Sequence, residues 1–269
     1  AQGGAYYSPA ARLSSSTSSS PVSSVAWSWF EAAGLTRDAN GGNDSVVLSM
    51  HFENDTKDSS RYNNSGVLSG NTTAAMLRDC VVGKCLNFDG SNDHVLVPTL
   101  VLSGAVNQSL FVWVYDNSSN SNYYGIVATE DGSPGIKHDM ETDFLHFYTS
   151  LGGVVAFPAI NKNTWEHYGY TSNGSRVWLY KNGVLVNETV APPGGSTMVI
   201  GRYRYSAAGN NFLGAIDEVH VFNRLLSPAE VWELYTLEYN RSNKGNAGFV
   251  QNFTNVSLAL RAKNYSFND

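Results

Sequence analysis

The sequence predicts an all-β chain folded as a two-sheet sandwich, and three observations carry that prediction. Short runs of alternating apolar and polar residues recur between turn signals, as the strands of a sandwich do. Lys181-Asn182-Gly183 stands between two such runs, Val177-Trp178-Leu179-Tyr180 and Val184-Leu185-Val186, and Asn-Gly accepts the positive φ of a tight hairpin turn. Long helices alternating with strands are absent from the pattern, which excludes a doubly wound α/β fold.

The chain divides into three regions. Residues 1–45 form an N-terminal extension whose tract Ser14-Ser15-Ser16-Thr17-Ser18-Ser19-Ser20 is too polar to build a core. Beyond Pro21, Val25, Trp27 and Trp29 alternate with Ser24, Ala26 and Ser28, which predicts a strand with one heavy apolar face. The Gly- and Asn-rich residues 34–45 read as a linker. Residues 46–237 hold the sandwich. In it Leu48, Met50 and Phe52 share a face, and Leu110, Val112 and Val114 oppose Phe111, Trp113 and Tyr115. The run from Gly214 alternates as far as Phe222, turns through Asn223 and Arg224, and opens a helix of one to two turns. Ser227 is its N-cap, Pro228 its first residue, and Glu230 completes a capping box. Residues 238–269 form a C-terminal extension in which Val256, Leu258, Leu260 and Ala262 alternate with Ser257, Ala259, Arg261 and Lys263, another strand candidate.

Several of these segments resemble, in order, the LamG-like, concanavalin A-like jelly-roll domains. Ser49-Met50-His51-Phe52-Glu53-Asn54-Asp55 and Asp58-Ser59-Ser60-Arg61-Tyr62-Asn63-Asn64-Ser65-Gly66 look like the family's opening strand and its Asp-Ser-Ser-Gly-type loop. The run from Gly83 through Phe88-Asp89-Gly90 to Asp93-His94-Val95 looks like its FDG…DYV signature. Trp165-Glu166-His167-Tyr168 and Leu179-Tyr180-Lys181-Asn182-Gly183 match its paired central strands, and Ile216-Asp217-Glu218 through Glu230 its closing segment. The resemblance covers roughly residues 46 to 237. It implies a jelly-roll sandwich with one short C-terminal helix, to which this chain adds terminal strand extensions. It implies function only loosely, because sites are grafted onto folds.

The 269 residues suffice for one such sandwich plus extensions. Only 15% are charged, and abundant Gly, Asn, Ser and Tyr suit an extracellular β protein. The net charge of −6 comes with scattered signs, so no basic patch for nucleic acid is visible. No apolar run reaches the roughly 18 residues that span a bilayer. The chain begins Ala1-Gln2-Gly3 without Met, as expected of a secreted protein whose leader has been removed. Cys80 and Cys85 flank a possible tight turn at Val81-Val82-Gly83-Lys84, and a disulfide there points to an oxidising compartment; free thiols are the alternative. Asn43, Asn54, Asn63, Asn71, Asn107, Asn117, Asn173, Asn187, Asn240, Asn252, Asn255 and Asn264 all begin N-glycosylation sequons. That is about a dozen where chance gives roughly five, and it predicts covalent N-glycans unless the Ser- and Asn-rich composition made them by accident.

Catalysis is not expected. The glycan hydrolases of this fold resemble one another in a Glu-x-Asp-x-x-Glu strand, and here Ala215 stands where its first carboxylate would be. Asp217 and Glu218, adjacent on a strand, are expected on opposite faces. The six histidines fall singly along the chain, and no Gly-x-Ser-x-Gly elbow occurs. The resemblance implies a structural Ca2+ held by Glu53, Asp58 and Asp217, against which stands a solvated acidic turn. For sugar, Tyr123, Tyr124, Tyr203 and Tyr205 lie in loop-like surroundings and offer stacking faces, unless they are rim tyrosines of the sandwich.

These features support two functions. The surplus apolar strands, with Val25, Trp27 and Trp29 as the preferred donor face and Val256, Leu258 and Leu260 in reserve, predict a non-enzymatic, glycosylated extracellular or cell-surface protein. Its copies would join into a homopolymeric filament by terminal-strand exchange, unless the ends fold back on their own domain. The alternative is a secreted, lectin-like adhesion module that binds a polysaccharide ligand.

Overall fold

The structure, a computed structural model, describes residues 35, 45–70, 76–77, 80–118, 124–139, 144–149, 154–203 and 211–241. Two antiparallel sheets face each other, as the sequence predicts. The eight-stranded sheet runs β13 (Val184–Val190), β12 (Arg176–Lys181), β11 (Trp165–Asn173), β6 (Asn107–Asp116), β15 (Leu213–Phe222), β4 (Cys85–Asp89) and β3 (Met76–Leu77). Its last member, β1 (Val46–Met50), pairs with the C-terminal half of β15. The seven-stranded sheet runs β10 (Val154–Ala156), β9 (Phe144–Tyr148), β8 (Gly135–Asp139), β7 (Tyr124–Thr129), β14 (Gly195–Ile200), β5 (His94–Ser103) and β2 (Val67–Ser69).

Alternation decides what fills the space between the sheets. Leu48, Met50 and Phe52 point into one buried cluster with Leu110, Val112 and Val114 of β6, Tyr168 and Tyr170 of β11, and Ile216, Val219 and Val221 of β15. The hairpin turn falls at Asn182 and Gly183, with φ of 50° and 76°, as a primed turn requires.

The opposite face of the eight-stranded sheet is also covered. Helix α1 (Pro228–Arg241) lies across it, and Val231 and Leu234 bury against Phe111, Tyr180 and Phe222. The capping box forms: Ser227 N–H donates to Glu230 Oε2 at 2.8 Å, and Glu230 N–H returns to Ser227 Oγ at 3.3 Å. At 14 residues the helix is longer than the expected one to two turns. The cap defines its start, but its length comes from docking, since Leu234, Thr236 and Glu238 are buried on the sheet. Leu35, from the stretch expected to be a linker, is fully buried in the same cluster, and its carbonyl accepts from Ser45 Oγ at 2.6 Å.

Asp217 and Glu218 break the expectation of opposite faces. The β15–β6 register shifts between Asp217 and His220, and Glu218 takes a left-handed φ of 47°. This β-bulge places one extra residue in β15, and the strand resumes its alternation beyond it. Asp217 and Glu218 therefore both reach the helix-covered side, while Val219 returns to the core.

Candidate functional site

Where α1 and the turn before β4 meet the eight-stranded sheet, a cleft of about 370 Å³ opens, within the usual range for ligand clefts. Trp165 and Tyr115 are register partners on β11 and β6 with ring centroids 5.6 Å apart. Both are half-buried, so their rings keep exposed surface. Trp113 forms part of the lining, and its indole stacks on Tyr235 and Tyr239 of α1. Asn163 and Thr164, exposed in the turn before β11, supply polar groups at the rim. Val81 enters from the turn between Cys80 and Cys85, which are joined as a disulfide. Gly83 in that turn has φ +61°, which a β-carbon would strain, and a side chain there would also collide with the Glu53 carboxylate. None of the lining residues is charged.

A buried polar network lies on the same face. His51 Nδ1 is 2.8 Å from Glu218 Oε2, and His220 Nε2 is 3.1 Å from the same oxygen. Ser49 Oγ lies 3.1 Å from each of their remaining nitrogens, His51 Nε2 and His220 Nδ1. From α1, Glu238 brings Oε1 to 3.0 Å from His220 Nε2, and its Oε2 accepts the Trp113 Nε1–H at 2.7 Å. His167 Nε2 stands 3.5 Å from Glu238 Oε2. Burial disfavours charge on His167, Glu218, His220 and Glu238, and neighbours decide the outcome. His220 is raised to about 9 because Glu218 and Glu238 outweigh its burial. Glu218 lies below the usual carboxylate range because His51 and His220 overcome the same penalty. His167, with burial and the His220 charge both against it, falls to about 3. Asp217 is raised by burial and by the Glu218 charge. The expectation of scattered histidines is thus corrected: β1, β11 and β15 bring His51, His167 and His220 together. The signal lay in their outward strand positions, but the pairing that joins them is long-range.

The residues expected to hold calcium do not fit it. Asp58 accepts from Ser49 N at 2.9 Å, Ser60 N at 2.8 Å, Ser60 Oγ at 2.6 Å and Asn64 N at 2.7 Å, so its carboxylate organises its own loop. Asp217 accepts the amides of Val82 and Glu218, and Glu53 that of Lys84. Among the described residues these three carboxylates do not converge on one point.

Of the tyrosines expected at a sugar site, the two that are described, Tyr124 and Tyr203, are buried. Tyr124 is 1% exposed within β7, stacked on His138 and hydrogen-bonded to Asp116, so no ring face is open. Tyr203, 7% exposed, packs edge-on against Tyr148 beneath the Lys137 ammonium. Tyr123 and Tyr205 lie outside the described residues, as do Val25, Trp27, Trp29, Val256, Leu258 and Leu260 and the sequon residues Asn43, Asn71, Asn252, Asn255 and Asn264. The remaining sequon residues, Asn54, Asn63, Asn107, Asn117, Asn173, Asn187 and Asn240, are all exposed. No helix among the described residues is long and apolar enough to cross a membrane.

Comparison with solved structures finds jelly-roll relatives. Domain 4 of AbnA, a GH43 extracellular arabinanase from Geobacillus stearothermophilus, was solved with arabinotriose. It matches with a TM-score of 0.56 at 21% identity, over 71% of this chain and 98% of that one. The binding domain of Paraclostridial Mosquitocidal Protein 1 gives 0.57 at 19%, over 73% and 53%. The botulinum neurotoxin serotype D ligand-binding domain, solved with N-acetylneuraminic acid, gives 0.55 at 18%, over 71% and 50%. The chain thus spans about half the length of the toxin domains and nearly all of the arabinanase domain. No curated protein sequence matches it significantly. The sequence profile of the concanavalin A-like lectin/glucanases superfamily, in its Laminin_G_3 form, matches residues 89–232, and the chain belongs to that superfamily.

Proposed function

We propose that the protein is a non-catalytic, extracellular carbohydrate-binding module that takes neutral glycan in the cleft beside Trp165. The observation that carries this reading is the lining: half-buried Trp165 and Tyr115 offer apolar ring faces, Asn163 and Thr164 stand beside them, and no charged residue is present. Sugar rings present C–H faces that stack on aromatics and hydroxyls that suit amides. An acidic sugar entering this cleft would lose water without gaining a counter-charge. The arabinotriose complex of AbnA domain 4 and the N-acetylneuraminic acid complex of the neurotoxin domain support sugar binding as a use of this fold.

Extracellular residence fits the Cys80–Cys85 disulfide, and N-glycosylation fits the exposure of every described sequon asparagine. Filament assembly by strand exchange draws on segments outside the described residues. Its natural acceptor is the edge strand β13, whose Val184, Leu185 and Val190 are exposed. A glycan on Asn187, midway along that strand, would block it, so sugar binding is the better-supported reading.

Calorimetric titration of the full chain with neutral oligosaccharides, arabinotriose among them, and with N-acetylneuraminic acid tests the proposal. A neutral sugar binds, N-acetylneuraminic acid binds more weakly, and Trp165→Ala lowers affinity at least about tenfold, or 1.4 kcal/mol, with the fold intact. Equal binding by wild type and Trp165→Ala, or no binding to any neutral sugar, overturns it.

A further inference from the structure

We propose that His51, Glu218 and His220 bind one divalent transition-metal ion, zinc in the first instance. The ion would act as a structural clamp between the end of β1 and β15. One ligand atom from each of His51, Glu218 and His220 lies within 4.8 Å of the other two, and all three residues are buried. The separations of 2.8 and 3.1 Å from Glu218 Oε2 to His51 Nδ1 and His220 Nε2 are a little shorter than the roughly 3.4 Å edge of a tetrahedral shell with bonds of about 2.1 Å. An ion enters such a set with shifts of a few tenths of an ångström.

Three further features favour a cation over a purely hydrogen-bonded cluster. First, Ser49 Oγ faces His51 Nε2 and His220 Nδ1. If both imidazoles donate to this oxygen, the lone pairs of His51 Nδ1 and His220 Nε2 turn toward the Glu218 carboxylate. Outer partners of this kind fix the tautomer and ring orientation of metal-bound histidines. Second, an oxygen is left over: Glu218 Oε1 is buried with no hydrogen-bond donor. Third, the charges balance. The ion takes the place of the proton on His220 Nε2, and its two charges are matched by Glu218 in the shell and by Glu238, whose Oε1 lies 3.0 Å from His220 Nε2; imidazole with carboxylate suits zinc. The left-handed backbone at Glu218 turns its carboxylate toward this point, and full burial leaves no position open to a substrate. The role is therefore structural.

The test uses the full chain with its disulfide intact. It is unfolded in urea with a chelator, refolded with or without Zn2+, and desalted. One equivalent of zinc is retained, and the melting temperature rises by about 5 °C over the metal-free protein. Glu218→Gln and His51→Gln retain less than a tenth of an equivalent, while His94→Gln, outside the cluster, retains all of it. Where a variant does not refold, X-ray absorption of the zinc-refolded wild type decides, with imidazole nitrogen and carboxylate oxygen expected around the ion. Failure of the wild type to retain zinc, full retention by Glu218→Gln or His51→Gln, or a shell lacking imidazole overturns the proposal.

Discussion

The Trp113 indole donates its Nε1–H to Glu238 Oε2 at 2.7 Å, joining the middle of β6 to the last turn of α1 where the cleft and the buried network meet. Trp113→Phe keeps an aromatic ring in the cleft lining and removes this donor together with the indole's second ring. It leaves a buried carboxylate oxygen short of a partner, so stability falls by about 1–3 kcal/mol in urea unfolding. Trp113→Ala adds a cavity and costs about 3–5 kcal/mol. Equal losses in the two variants would show that the hydrogen bond carries the effect and the ring nothing.

Asp58 is placed as a loop organiser, and that role separates from calcium binding by experiment. Asp58→Ala strands the Ser49, Ser60 and Asn64 amides and is expected to lower stability by about 3 kcal/mol. Adding millimolar Ca2+ leaves the melting temperature of the wild type unchanged. A calcium-dependent rise that Asp58→Ala abolishes would return this residue to a metal site.

Glu230 gives a pH dependence of known sign. Burial opposes its charge, but Arg224 at 2.6 Å and the Ser227 cap outweigh that and hold its carboxyl below the usual 4.5. A depressed carboxylate stabilises fully above its unfolded value and loses that contribution as pH falls through its folded one. The side chain is 29% exposed, so solvent screens part of the effect. Glu230→Gln is expected to cost about 0.5–1 kcal/mol at pH 7 and progressively less as pH falls below the usual carboxylate range, read as converging unfolding midpoints.

These sites differ in how much of them the sequence reveals. The capping box spans Ser227 to Glu230, and the hairpin is local to Asn182-Gly183, so neighbours along the chain suffice to find both. The two faces of β6 follow from period-two alternation alone. Glu218 does not, because alternation assumes a regular strand and the bulge that turns it toward His51 depends on a residue in another strand region. The cleft is hidden for the same reason. Tyr115, Trp165, Tyr239 and Val81 come from four separate elements, and each alone reads as an ordinary apolar position. Tyr124 fails in the opposite direction: polar sequence neighbours suggest a loop, but β7 carries it into the core.

The Cys80–Cys85 disulfide ties stability to the cleft, and the two effects can be measured apart. Closing so short a loop restricts the unfolded chain by about 2 kcal/mol, so Cys80→Ala/Cys85→Ala is expected to lose roughly that much. The turn it closes also places Val81 in the cleft wall and presents the Val82 amide to Asp217 Oδ2 at 3.0 Å. Asp217 is already disfavoured as an anion by burial and by Glu218, so weakening that amide contact raises it further and loosens the wall. Sugar affinity should therefore fall in the double variant even well below its melting temperature, where the protein is fully folded. A variant that loses about 2 kcal/mol yet binds sugar like the wild type would mean that β6, β11 and α1 shape the cleft without the turn.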